Sequence, residues 1–203
     1  MYTFLCFLVI IASASLLFLD GYKRFSVLLV GLTFFPYGIY LLPHLNAQRI
    51  MIFGFIFSVF LRPSEWRKIR SIPCFWLLIL LLGSFIATAM ADKRVGIFDG
   101  TYKAIIAYCE SFGCIFIGYL SIQKDNDVGR VFNLIRKLAY VVCAYSIFCF
   151  LIGYDFYNQL IPGTDSMIGG RLRIASLYYN SHVAGFAISV MALILLFQDT
   201  VKK

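Results

Sequence analysis

Two arginines one residue apart, Arg171 and Arg173, follow the pair Gly169-Gly170 and lead directly into an apolar run, Ile174–Phe197. That arrangement suits an anion. Glycines let the backbone approach a ligand closely, guanidinium groups match phosphate oxygens in a forked geometry, and the start of a helix adds partial positive charge. A phosphate or pyrophosphate is the ligand this chemistry fits. A second reading stands beside it, in which arginines at a helix entrance simply snorkel to lipid headgroups.

Two other side chains carry chemistry by their position. Glu110 is the one carboxylate within the apolar span Tyr102–Ile122, where an ionised group is costly enough to count as a functional hypothesis. Either it serves a proton or polar-substrate pathway, or it is protonated or paired with a nearby hydroxyl or basic residue. His182, one turn into the last run, either donates to a ligand or titrates near neutral pH, or it is a plain hydrogen-bonded interfacial histidine. His44 is less suggestive. The chain has no Gly-x-Ser-x-Gly, Walker-type loop, His-Glu-x-x-His or nucleotide fingerprint, and no paired carboxylates, so catalysis of the soluble-enzyme kind is not encoded. No metal site and no cofactor are expected. The six cysteines lie inside apolar runs without a Cys-x-x-Cys pair and read as small core residues.

The elements that position these groups are set by composition. Apolar residues make up 61% of the chain and charged ones 14%, with a mean hydropathy of +0.85, far from the roughly 25% charged residues of a soluble domain. Too few charges remain to make a water-soluble surface. The 21 Phe and 13 Tyr agree, because rings fill lipid-facing surface and Tyr anchors helices at headgroup level. The net charge of +8 comes from small clusters between apolar runs, not from a basic stripe with interleaved aromatics, and nucleic acid is not expected as a partner.

Crossing about 30 Å of hydrocarbon at 1.5 Å per residue takes roughly 20 apolar residues. Spans are predicted over residues 2–19, 25–42, 72–91, 102–122, 138–157 and 174–197. A shorter run, 45–61, either crosses or lies in the interface. The expected fold is all-α: one transmembrane domain over residues 1–203, a polytopic bundle of six or seven helices. Breakers at Asp20-Gly21, Pro43, Pro63-Ser64, Asp125-Asn126-Asp127 and Pro162-Gly163 fall between the runs. Pro36, inside the second run, is expected to kink it.

Orientation follows from Lys and Arg, which cytoplasmic loops retain. With seven spans and the N-terminus outside, 12 of the 18 fall inside; with six, the division is 11 to 7. Both arrangements leave loop 62–71 inside and loop 158–173 outside, so only the first 45 residues change sides.

At Arg173-Ile-Ala-Ser176 followed by Tyr178-Tyr179-Asn180, the chain resembles the bacterial O-antigen ligase and polymerase family. Members carry an outward arginine, a small residue, an aromatic and an asparagine before a helix rich in Ala, Gly and Leu; here Ser176 stands where glycine is usual. The resemblance implies a multi-pass glycosyltransferase of the bacterial inner membrane, acting in surface polysaccharide and lipopolysaccharide biosynthesis. It would move a glycan from an undecaprenyl-diphosphate carrier to an acceptor glycan at the outer face. Arg173, with Arg171, would neutralise the diphosphate, supported by Asn180, His182 and Glu110. Members are about twice as long, so the chain looks like an N-terminal half, with a second polypeptide as a partner supplying the rest. The readings set against this are a non-catalytic polytopic protein, such as a transporter or flippase component, and a membrane scaffold.

Overall fold

The computed structural model describes residues 2–35, 39–42, 45–91, 96–122, 125–159, 167–168, 171–172 and 187–196. Helices dominate: α1 (Tyr2–Phe18), α2 (Gly21–Phe34), α3 (Ala47–Phe60), α4 (Pro63–Arg70), α5 (Phe75–Ala91), α6 (Ile97–Ser121), α7 (Asp125–Ile152) and α8 (Phe156–Gln159), then α9 (Ala187–Leu196). Two short antiparallel pairs interrupt them, β1 (Tyr40–Leu42) with β2 (Leu45–Asn46) and β3 (Met167–Ile168) with β4 (Arg171–Leu172).

Among the described residues one helix, Asp127–Ile152, is long and apolar enough to cross a membrane. The number rises to three if the bent pairs α4–α5 and the two halves of α6 each count as one span; Tyr2–Phe18, Ala47–Phe60 and Ala187–Leu196 are apolar but shorter.

Local chemistry explains where the elements differ from the hydropathy runs. The second run is not one helix: α2 ends at Phe34, with Phe35 already extended at φ −107°, as expected one residue before a proline; Pro36 itself lies outside the described residues. α2 also begins earlier than its apolar run, at Gly21, whose φ of +45° glycine adopts without penalty. α3 starts where the Asn46 side chain accepts the amide of Arg49 at 2.8 Å, a side-chain N-cap. α6 gains a turn and more at its start, where Lys103 reaches Asp99 at 2.6 Å one turn back. α7 begins at Asp125, within the expected breaker. Gly153, at φ +71°, closes α7 by donating to the Cys149 carbonyl at 2.9 Å, a left-handed stop.

The helices alternate between two ends of one bundle. At the first end, Tyr2 donates to the Tyr40 carbonyl at 2.7 Å, Ala47 to the Ile39 carbonyl at 2.7 Å, and the Tyr157 hydroxyl to the Phe34 carbonyl. At the second, Arg62 pairs with Asp20, Tyr22 donates to the Arg130 carbonyl at 3.3 Å, and the hydroxyls of Ser71 and Tyr119 lie 3.1 Å apart. The run 45–61, ambiguous from hydropathy, is therefore a helix inside the bundle, packed parallel to α1 along its length. Their approach is close: a Cβ on Gly54 would lie 2.2 Å from the Ser13 Oγ, and the Ser13 hydroxyl donates to the Ile50 carbonyl.

Leu16, Leu28, Met51, Phe55, Val59, Ile117 and Leu120 form the main buried cluster, drawn from α1, α2, α3 and α6. α5 packs chiefly on α6, through the rings of Phe85, Tyr108 and Phe112; Leu78 is its one buried residue. Large apolar side chains face outward, Leu80 at 71% exposure and Leu151 at 77% among them. Contiguous apolar surface on this scale marks a membrane or a partner. Of the cysteines, Cys149 is buried as expected, but Cys74 is exposed, at the turn between α4 and α5 with φ +63°.

Candidate functional site

The arginine-bearing segment is described in part. Arg171 lies in β4, opposite Ile168 of β3; Arg173, Asn180 and His182, and likewise His44, lie outside the described residues. The segment is tethered where it leaves α7. Asp155 is fully buried and accepts from the Tyr145 hydroxyl at 3.2 Å, and the Tyr157 amide donates to that same hydroxyl at 2.7 Å. The Tyr157 hydroxyl donates to the Phe34 carbonyl and fixes α8 against the end of α2.

Glu110 does not stand alone in its span. Its Oε1 accepts from the Arg49 Nε at 2.7 Å, with the two side chains 36% and 17% exposed. The pair borders a cleft of about 260 Å³ that also contains Asp99, Tyr102 and Lys103. All these groups come from α3 and α6. An arginine one turn into α3 thus meets a carboxylate midway along α6, a pairing over 61 residues that no local sequence pattern announces. It compensates the carboxylate's charge and leaves a polar opening toward the first end. Among the described residues, the polar groups lining this cleft come from α3 and α6.

The second end holds the more completely built polar cluster, and it involves residues with no chemical signature in the sequence. Arg24 is fully buried. Its Nη1 donates to the Ser58 hydroxyl at 2.9 Å and its Nη2 to both Glu65 oxygens at 2.8 Å, while the guanidinium lies 4.5 Å from the Phe55 ring centre. Helix geometry makes this possible. Pro63 starts α4 with its fixed φ, which puts Glu65 in the first turn, where a carboxylate is favoured. Arg62, the residue before that turn, pairs with Asp20, comes within 3.7 Å of Glu65, and donates to the Leu17 carbonyl at 2.9 Å. A buried guanidinium must be paired to be tolerated; here helices α2, α3 and α4 each contribute to it.

Beside this cluster a pocket of about 790 Å³ opens between the α1–α2 turn, α4, the end of α6 and the start of α7. The sequence offered two signals for it: a lysine-arginine pair just after the Asp20-Gly21 breaker, and Glu65 behind a helix-starting proline. Neither says that the groups meet. Among the described residues, no three His, Cys, Asp or Glu side chains are grouped to hold a metal ion.

No protein-family model matches the chain, and no curated protein and no solved structure is significantly similar to it.

Proposed function

We propose that the chain is a seven-span membrane protein with its N-terminus outside, and that it binds a lipid-linked, diphosphate-bearing glycan at its outer face. On this reading it is a glycosyltransferase of the O-antigen ligase and polymerase type in a bacterial inner membrane, with an acceptor glycan as its second substrate. The observation that carries the reading is the sidedness of the bundle. The Arg171 segment follows the end where Tyr157 meets Phe34, and Arg62, Lys68 and Arg130 gather at the opposite end. The positive-inside rule favours a cytoplasmic basic end; on this reading Arg171 and Arg173 belong outside, where that rule disfavours them, which supports a ligand beside the snorkelling reading.

The chemistry follows from the ligand class. An acceptor hydroxyl forms a bond to the sugar anomeric carbon as the bond from that carbon to the diphosphate oxygen breaks. The diphosphate keeps the electron pair, the hydroxyl proton passes to a base, and negative charge grows on the departing group. Guanidinium groups at Arg171 and Arg173 stabilise that charge through forked hydrogen bonds.

The test combines topology with substitution. Cysteine labelling in intact cells should modify residue 165 and leave residue 66 protected, and residue 165 in the cytoplasm would overturn the outer site. Arg173→Ala, at normal protein level, should lower transfer about 10- to 100-fold, the equivalent of one charge-assisted contact of about 1.5–3 kcal/mol. A scaffold predicts instead that Arg173→Ala leaves surface polysaccharide unchanged while deletion alters it.

A further inference from the structure

The pocket at the Arg62 end is lined by the start of two helices that lack a side-chain cap. α2 begins at Gly21 behind Asp20, and α4 begins at Pro63 behind Arg62; neither preceding side chain caps a backbone amide of the helix it opens. Asp20 is paired to Arg62 instead, and an arginine side chain has no acceptor to offer an amide. Lys23 donates to the Asp20 carbonyl at 3.1 Å and Glu65 to the Arg62 carbonyl at 2.9 Å, and Pro63 has no amide hydrogen; Gly21, Tyr22 and Ser64 line the pocket at helix starts without a side-chain cap, where the partial positive charge of a helix N-terminus lies.

The side chains add to this field. Lys23, Arg62, Lys68 and Arg130 line the pocket and Arg24 lies behind it, five cations against the carboxylates of Asp20, Glu65 and Asp127. Those three are already engaged, Asp20 by Arg62, Glu65 on both oxygens by Arg24, and Asp127 by Arg130 at 3.6 Å. Lys23 is exposed. An independent observation points to a ligand: Ser121, 1% exposed, also lines the pocket, and its buried hydroxyl has no hydrogen-bond partner. A buried hydroxyl without a partner is costly, and an incoming acceptor oxygen removes that cost.

We propose that this pocket is a binding site for a phosphate-bearing anion, seated on the starts of α2 and α4 and held by Lys23 and the Ser121 hydroxyl. Its volume of about 790 Å³ admits a phosphate together with the group it is attached to. The buried Arg24–Glu65–Ser58 cluster keeps α2, α3 and α4 in register, so the site is formed before the ligand arrives. The same chemistry belongs to a free phosphorylated compound and to an anionic phospholipid headgroup, and the site is independent of the arginines at the opposite end.

The experiment uses the full chain purified in a neutral detergent. Inorganic phosphate is titrated calorimetrically against chloride at matched ionic strength, on the wild type, Lys23→Gln and Ser121→Ala. In a second arm, the same three proteins are placed in nanodiscs of mixed phosphatidylglycerol and phosphatidylcholine, and lipid retained after detergent extraction is measured by native mass spectrometry. Specific phosphate binding identifies a free phosphorylated ligand, and selective retention of phosphatidylglycerol identifies a headgroup. In whichever arm binds, Lys23→Gln should weaken it about tenfold and Ser121→Ala severalfold. Ser121→Ala should not lower the melting temperature in phosphate-free buffer, because the hydroxyl has no protein partner to lose. Binding in neither arm, or variants that bind as the wild type does, would overturn the proposal.

Discussion

Removing the Glu65 carboxylate tests the physics of the second end most directly. Glu65→Ala leaves the Arg24 guanidinium, 0% exposed, with the Ser58 hydroxyl as its hydrogen-bond acceptor and the Phe55 ring as its electrostatic partner among the described residues. Breaking a buried pair on one side costs about 3–5 kcal/mol, because the surviving charge stays buried and uncompensated. Glu65→Gln preserves shape and one acceptor, so about half of that loss is expected. The double substitution Arg24→Met with Glu65→Leu removes both charges and should lie within about 1–2 kcal/mol of the wild type, since a well-packed apolar replacement is often neutral. With the single variants Arg24→Met and Glu65→Leu added, the double-mutant cycle should then give a coupling above about 2 kcal/mol. Helicity followed by circular dichroism during titration with a denaturing detergent in mixed micelles measures all of these proteins. A Glu65→Ala loss below about 1 kcal/mol, or a double variant no more stable than Glu65→Ala, would refute the claim that the pair closes a buried charge.

Three other outcomes follow from the geometry. A Cβ on Gly54 meets the Ser13 backbone oxygen at 3.2 Å as well as its Oγ, whereas one on Gly31 meets chiefly the flexible end of Met51; Gly54→Ala should cost about 1–3 kcal/mol and Gly31→Ala clearly less, in the same titration. Glu110→Gln and Arg49→Gln should each change stability by less than about 1 kcal/mol, because the pair is partly open to its surroundings, and melting temperatures of the two variants check this. Tyr157→Phe loses the hydrogen bond to Phe34 and should speed proteolysis within residues 158–173 of the reconstituted protein, with a stability loss of about 1 kcal/mol.

Some of this molecule was open to reading along the chain. Hydropathy located the cores of the helices, because apolar length is a sum over neighbouring residues and needs no knowledge of contacts. Helix ends were less accessible. Gly21 and Asn46 extended or opened helices through backbone conformation and capping, effects of single residues that an apolar average smooths away. Pro36 was recognised as a disruption but read as a kink, since whether a helix resumes after a proline depends on what receives the chain beyond it; here the β1–β2 turn does.

The sites divide in the same way. The pairing of Arg171 and Arg173 behind two glycines is a local pattern, and so is the unusual carboxylate at Glu110; both were visible as chemistry before any fold was known. Their partners were not. Arg49 reaches Glu110 across 61 residues and Arg24 reaches Glu65 across 41, and a charged side chain gives no sign in sequence of which distant charge will neutralise it. By itself the sequence determined that the chain is mostly helical, rich in apolar faces, and asymmetric in its basic residues, because those are additive properties of composition and order. Only the tertiary structure decided that Arg24 is a buried anchor and not one more inner-side cation, that α3 runs inside the bundle along α1, and that the starts of α2 and α4 meet at one pocket. Each of those depends on the packing of helices that the chain brings together from far apart.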